Sequence, residues 1–567
     1  MRRQRRGVKL LALILGLSLV AAACGGDDDD EGAEEGGATE EEQAEGVQGG
    51  EFVDLGTFSQ GPPEHLDPRI NTTSDGWQVG GSLYDGLAET DFSDPENPET
   101  VGVVAESWDV NDDATQFVFH IREGLTFSTG EEVLPSSFVR GWETASDPDF
   151  AGDYSYLFTF IEGGAEKLDG AAETISGVEA DDEEMTLTVD LSAPYANFAA
   201  VAGFQLFMPM PSEIDELTDQ TEWEQGIMIG NGPFMMEAPA NDQEIVLVPN
   251  PEWDGTQYDE ALGLPEQPFL DRLVFPIGSD IDTAYNAFEA GEGDATDFAP
   301  GRYQEAQDNY ATTIDTPFLG LYYFTFNERD ERVGGEENKL LRQAISQAID
   351  REDINADVYE GSRTTATGVA PPGIPGFEEG LCDYCSYDPE AAEAAYQEWL
   401  DAGNSLDAPL PIQFNADSGH EPVVAIIIDN LAAIGIEAVG EPIPPDDYFG
   451  QLAEGACVFC RVGWLADYPT YDNFTFDIFG SEALDGNNYG YISEEFDELI
   501  AEAKATTDAD EAGELFRQAE QVLLNEDIGT VPINWYNGTK VYNPDTVANF
   551  EETPTGHVTW ETVSLTG

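Results

Sequence analysis

Thr115-Gln116-Phe117-Val118-Phe119-His120-Ile121-Arg122 alternates polar and apolar side chains one by one. That period of two belongs to a half-buried β-strand. It follows Asp109-Val110-Asn111-Asp112-Asp113, a run of turn-forming residues. Met185-Thr186-Leu187-Thr188-Val189-Asp190-Leu191 repeats the alternation behind a second acidic turn. Further along, Lys339-Leu340-Leu341-Arg342-Gln343-Ala344-Ile345-Ser346-Gln347-Ala348-Ile349 switches to helical spacing, as do 391–400, 423–434 and 496–524. Pro371-Pro372-Gly373-Ile374-Pro375 is a rigid connector. Strands and helices alternate without a strict strand–helix–strand repeat, which predicts an α/β protein with mixed sheets. At 567 residues, with 31 Phe, 21 Tyr and 9 Trp, the chain is long enough for more than one core.

The charge balance is extreme. There are 115 Asp+Glu against 21 Lys+Arg, for a net charge of −94. Such a polyanion repels phosphate backbones and anionic headgroups, which excludes nucleic-acid binding. It also removes a common guide to function. With carboxylates at about one residue in five, catalytic-looking acid pairs arise everywhere by chance.

The first fifty residues read as targeting sequence. Met1 to Lys9 carries Arg2, Arg3, Arg5, Arg6 and Lys9, residues 10–20 are apolar, and Ala21-Ala22-Ala23-Cys24 follows. The apolar run is too short to span a membrane and suits an export signal over 1–23. Cys24 is the expected lipidation site, with Ala21 standing where Leu is commoner. Residues 25–50 hold eight glycines, eleven acids and no base. Such a tract forms no core and serves as a tether over 24–50, spanning about 28 Å as a flexible coil. Export implies an oxidising compartment. Cys382 and Cys385 form one Cys-x-x-Cys pair, Cys457 and Cys460 another. In a strand, residues three apart point to opposite faces, so the expectation is two disulfides joining the Tyr384 loop to the strand before Gly463. Four cysteines allow three connectivities, and a four-thiolate zinc site is the alternative.

No nucleophile elbow, phosphate loop or His-Glu-x-x-His motif occurs, so no enzyme activity, metal or cofactor is expected. His65, His120, His420 and His557 are far apart in sequence. Asp109-x-Asn111-x-Asp113 has Ala114 where a calcium loop needs Gly, and His120 where it needs Glu, so it reads as a hairpin turn. Gly230-Asn231-Gly232-Pro233-Phe234 reads as a tight turn.

From residue 51 onward a series of short segments appears in a fixed order. They are Leu66-Asp67-Pro68, Leu83-Tyr84-Asp85-Gly86-Leu87, Ala105-Glu106-Ser107-Trp108 with 117–124, Ile175-Ser176-Gly177-Val178-Glu179 and Gly232-Pro233-Phe234. Ala290-Gly291-Glu292 with Asp294, Phe324-Thr325-Phe326-Asn327, Arg342-Gln343-Ala344 with 348–351, and Tyr387-Asp388-Pro389 come next. Gly463-Trp464-Leu465-Ala466-Asp467-Tyr468-Pro469 and Asn488-Tyr489-Gly490-Tyr491 close the series. Over about 500 residues this order resembles the family 5 extracellular solute-binding proteins, the oligopeptide- and dipeptide-binding lipoproteins of bacterial ABC importers. One departure, Phe127-Ser128-Thr129-Gly130 onward to Pro135, falls in a loop.

The resemblance implies a periplasmic-binding-protein-like fold of the large, three-lobed type II, with a hinge and an interlobe ligand cleft. Lobe I is expected from 51–98, 230–324 and 538–567, an inserted lobe from 99–229, and a third lobe from 325–537. The chain crossings are expected near 324–327 and 535–537. It implies a substrate-binding lipoprotein that captures peptides by lobe closure and delivers them to a permease. The same fold around a metal complex, sugar or other cationic or neutral small molecule is the alternative. The implied partners are the solute, ABC permease and ATPase subunits, and the membrane through the lipid on Cys24 only. A monomer on the extracytoplasmic face of the cell membrane is implied, periplasmic where an outer membrane is present.

Asp467 matches the family aspartate that pairs with a peptide's α-ammonium, since a buried ammonium needs a carboxylate at hydrogen-bond distance. Trp464 would supply an apolar wall, and Tyr468, Asn488 and Tyr489 are further candidates for lining the cleft. A ligand carboxylate would need a cation, and Arg302, Arg329, Arg363 and Arg461 are the candidates.

Outside the tether, the acids spread through turns and polar helix faces. Enriching Asp and Glu while depleting Lys keeps a protein hydrated in strong salt, where screening also relieves self-repulsion. The expected habitat is saline. The melting temperature should therefore rise as sodium chloride is raised from about 0.1 M towards 2 M. A flat or falling trend in a thermal scan would contradict this reading.

Overall fold

The computed structural model describes residues 46–566, apart from 95–97, 260–261, 279, 300, 417 and 485. The signal segment, Cys24 and nearly all of the tether lie outside the described residues.

The strand predicted over 115–122 is Gln116–Ile121, with Phe117, Phe119 and Ile121 buried on one face. It pairs antiparallel with Ala105–Val110 and Thr186–Asp190, and Val178–Asp181 completes a four-stranded sheet. The acidic run before it is a hairpin turn. Asn111 Oδ1 accepts from the amides of Thr115 and Gln116, at 2.8 and 3.1 Å. His120 sits on the outer face, 3.0 Å from Asp109 Oδ2. The inner face packs on Trp142, Phe198 and Phe207 in an aromatic core.

A second four-stranded sheet draws from distant parts of the chain. Glu51–Val53 runs parallel to Arg272–Pro276, with Phe52 opposite Leu273, and Glu244–Pro249 and Phe234–Met236 follow antiparallel. Its core gathers Phe52, Phe275, Phe550 and Trp560. The expected tight turn at 230–234 docks this region onto the helix Ser74–Leu83. Gly232 N donates to Leu83 O at 2.8 Å, and a Cβ on Gly230 would lie 1.8 Å from that same oxygen. Only glycine fits such an approach.

The largest sheet has six strands, in the order Thr364–Thr365, Thr530–Asn537, Pro317–Phe326, Phe459–Leu465, Leu410–Asn415 and Ala438–Ile443. The first three contacts are antiparallel and the last two parallel, the mixed pattern the sequence predicts. Helices Lys339–Ala348, Pro389–Asp401 and Glu421–Ala433 cover one face. The register of the central pair places Pro317 opposite Asn537 and Phe324 opposite Val531. The two expected crossings, 324–327 and 535–537, thus lie at opposite ends of this pair. Asn537 shares its end with Pro317.

The cysteines differ from the expected cross-link. Cys382 pairs with Cys385 and Cys457 with Cys460, each inside its own motif, with Cα separations of 5.4 and 5.5 Å. The opposite-face argument fails because Cys457 precedes the strand, which starts at Phe459. All four sulfurs lie in one hydrophobic cluster and are engaged in disulfides, so they do not form the thiolate site of the zinc alternative.

Candidate functional site

The strand Phe459–Leu465 ends at a cavity of about 560 Å³. Past Leu465 the backbone keeps one more contact to the neighbouring strand, Ala466 N to Leu319 O at 2.8 Å, and then turns away. Arg461, Trp464, Asp467 and Tyr468 line the cavity from this side. Trp77, Asp85, Glu89, Tyr154, Trp253, His557 and Glu561 face them from other parts of the chain.

The turn is built around Asn473, which is fully buried. Its Oδ1 accepts from Trp464 Nε1 at 2.9 Å and from the Asp467 amide at 3.1 Å. Its Nδ2 donates to Asp477 Oδ2 at 2.8 Å and reaches Asp467 Oδ2 at 3.4 Å. One side chain thus fixes the indole and the carboxylate that the sequence singled out. Asp467 faces the cavity yet lies deep among protein atoms. Burial, followed by the neighbouring Asp477, pushes its pKa up to about 7 against hydrogen bonds from Tyr154 and Asn473. Such a carboxyl gains most from a cation brought to it.

Tyr468 lines the same wall, but its hydroxyl donates to Asp477 and its ring belongs to the aromatic core beneath the small sheet. Asn488 and Tyr489 do not line the cavity, a correction to the sequence expectation. Asn488 Nδ2 donates to the carbonyls of Phe479, Gly480 and Tyr491, and its Oδ1 accepts from the amides of Gly490 and Tyr491. Its amide is saturated by backbone. Tyr489 is buried against Phe449.

Of the four candidate arginines, Arg461 alone lines the cavity. Its guanidinium lies 4.8 Å from the Tyr322 ring, and its Nε is buried without a hydrogen-bond partner among the described residues. No carboxylate lies within ion-pair distance of it among those residues. Arg302 pairs with Glu289 at 2.8 Å, Arg329 bonds Asn327 Oδ1, and Arg363 stacks on Tyr359 at 3.7 Å. Asn473, Tyr154 and the facing acids were not found from sequence, because tertiary contact alone sets them apart from other polar residues.

Residues 99–485 match the family described as bacterial extracellular solute-binding proteins, family 5 (middle), and the chain belongs to this family. Among relatives, the dipeptide-binding protein DppE of Bacillus subtilis (strain 168) is 25% identical over 512 residues, covering 88% of this chain and 90% of that protein. Heme-binding protein A of Haemophilus influenzae is 26% identical over 495 residues, covering 82% and 84%. The structure also aligns with the ABC transporter-associated periplasmic binding protein DppA from Helicobacter pylori in complex with peptide STSA. The TM-score is 0.73, with 21% identity over 92% of this chain and 99% of that one. The architecture is therefore the type II periplasmic-binding fold that the sequence implies. Among the described residues no helix is long and apolar enough to cross a membrane.

Holding the backbone and contacting ligand are separable at Asn488 in one experiment. Asn488→Ala should lower stability by about 2–4 kcal/mol, because several buried backbone groups lose their partner. Ligand affinity of the folded variant should stay within about threefold of the parent, equivalent to less than 1 kcal/mol. A selective loss of affinity at unchanged melting temperature would restore it to the binding site.

Proposed function

We propose that this protein captures short peptides outside the cell and delivers them to an ABC permease and its ATPase. One observation carries the reading. A deeply set carboxylate, Asp467, and a deeply set arginine, Arg461, line one cavity, each without an oppositely charged ion-pair partner among the described residues. A zwitterionic peptide offers the complement of both, its α-ammonium to Asp467 and its C-terminal carboxylate to Arg461. The two residues are six apart, so their Cα atoms are separated by at most about 20 Å. That suits ligands of up to about five residues. The half-buried Trp464 and the buried Trp253 supply flat apolar walls for side chains.

The remaining parts of the proposal follow from the family. The chain acts by binding. Capture proceeds by closure of an inserted lobe and lobe I, 99–229 and its flanks, against a third lobe ending near 537. The hinge lies at the crossings near 324–327 and 535–537, and at the second of these the Gly538 amide donates to Thr316 O and Asn537 Nδ2 to Ile314 O. A lipid on Cys24 holds a monomeric receptor to the outer face of the cell membrane, with the 24–50 segment as its tether.

Native mass spectrometry of freshly purified protein tests the ligand class. The expected result is a co-purified series of short peptides, and a single non-peptide mass would move the assignment to another solute. For a tetrapeptide with a free amino terminus, Asp467→Asn should weaken binding by about 2–5 kcal/mol. Unchanged affinity would remove Asp467 from the site.

A further inference from the structure

Next to Asp467 lies a set of charges that ligand contact does not explain. Asp472 and Asp477 are fully buried, and each has one carboxylate oxygen, Oδ1, without a hydrogen-bond partner among the described residues. Asp472 Oδ2 accepts from the hydroxyl of Tyr195, and Asp477 Oδ2 from Tyr468 and Asn473. The cation whose charge acts on this pair is Lys504. Its Nζ lies 3.4 Å from the Phe476 ring centroid, 4.4 Å from Tyr195 and 4.6 Å from Phe160. No carboxylate comes within ion-pair distance of it among the described residues. Burial draws the Lys504 pKa down, while Asp472 and Asp477 hold it up.

The geometry of this cluster joins two parts of the fold. Phe160 and Tyr195 belong to the segment packed with the small four-stranded sheet. Phe476, Asp472, Asp477 and Lys504 follow the strand of the large sheet that ends at the cavity. The main chain reinforces the joint, since Ala196 N donates to Lys504 O at 2.8 Å. A cation held among three rings gains from their quadrupoles when water is excluded. Two buried carboxylates with unsatisfied oxygens need such a cation, because an uncompensated buried charge is strongly destabilising.

Adding Asp467 makes three carboxylates for one lysine. We propose that Lys504, Asp472 and Asp477 form a charge latch between these two parts, and that a cation on Asp467 tightens it by supplying the second positive charge. This rests on the placement of a ligand ammonium at Asp467. Ligand charge and lobe contact are then coupled through one electrostatic set, and such coupling is reciprocal. Lys504 acts here as a positioning residue.

The test is a double-mutant cycle on the full mature chain with a tetrapeptide bearing a free amino terminus. Lys504→Met should raise Kd by about tenfold or more, chiefly through faster dissociation. Adding Asp477→Asn removes the excess negative charge and should restore Kd to within about threefold of the parent. A double variant no better than Lys504→Met would show that the lysine only packs, and would overturn the latch. Lys504→Gln serves if the methionine variant does not fold. The same cycle read by melting temperature without ligand separates the two readings. Losses clearly less than additive support the latch even if no peptide binds, in which case the ligand assignment alone fails. Additive losses overturn the latch whatever binds.

Discussion

The carboxamide of Asn473 is the contact through which the site holds its shape. Its oxygen takes the Trp464 indole and the Asp467 amide, while its nitrogen bonds Asp477 and reaches Asp467. Strand Phe459–Leu465 delivers these residues to the cavity, and Asn473 fixes the turn that follows. Without it, the indole and the Asp467 amide would each lose a partner, and two nearby carboxylates would repel without a shared donor. A buried polar network of this kind specifies one geometry when every member is satisfied. The unsatisfied oxygens on Asp472 and Asp477 mark where the network still lacks positive charge.

Acidity changes meaning at this point. Across the surface the carboxylates keep the chain hydrated and say nothing of the ligand. In the interior the same residue type acquires strong preferences. Burial raises Asp467 to about 7 and Asp477 to about 6, so both take up protons more readily than surface acids. A cation entering the cavity reverses this, and its binding energy is drawn from relief of that burial cost. The opposite pole is Arg461, which lines the same cavity with no carboxylate within ion-pair distance among the described residues.

Much of this architecture was legible in the sequence. Alternation over 115–122 gave a strand because one face packs on an aromatic core and the other meets solvent. The helical spacing over 339–349 gave a helix whose apolar positions Leu341, Ala344, Ile345 and Ala348 pack into the core of the six-stranded sheet. The ordered segments led to the family, and Gly463 to Pro469 to Asp467. The disulfide pairing was not legible, because it turns on Cys457 standing just before the strand. Asn488 and Tyr489 share the cleft motif's style, but their role depends on which backbone groups they meet. Asn473 and Lys504 carry no local signal at all, since an asparagine after a turn and a lysine on an acidic helix are unremarkable until tertiary contacts bury them.

The central claim is that a ligand cation discharges the proton held on Asp467. Linkage fixes the sign. Where the empty carboxyl has a pKa of about 7, ammonium binding favours the ionised form and lowers that pKa, so affinity falls as pH drops below about 7. Titration calorimetry with a tetrapeptide at pH 6.5, in two buffers of different ionisation enthalpy, measures the proton directly. The account predicts release of about half a proton or more per peptide bound. Equal heats in both buffers, with tight binding, would contradict it.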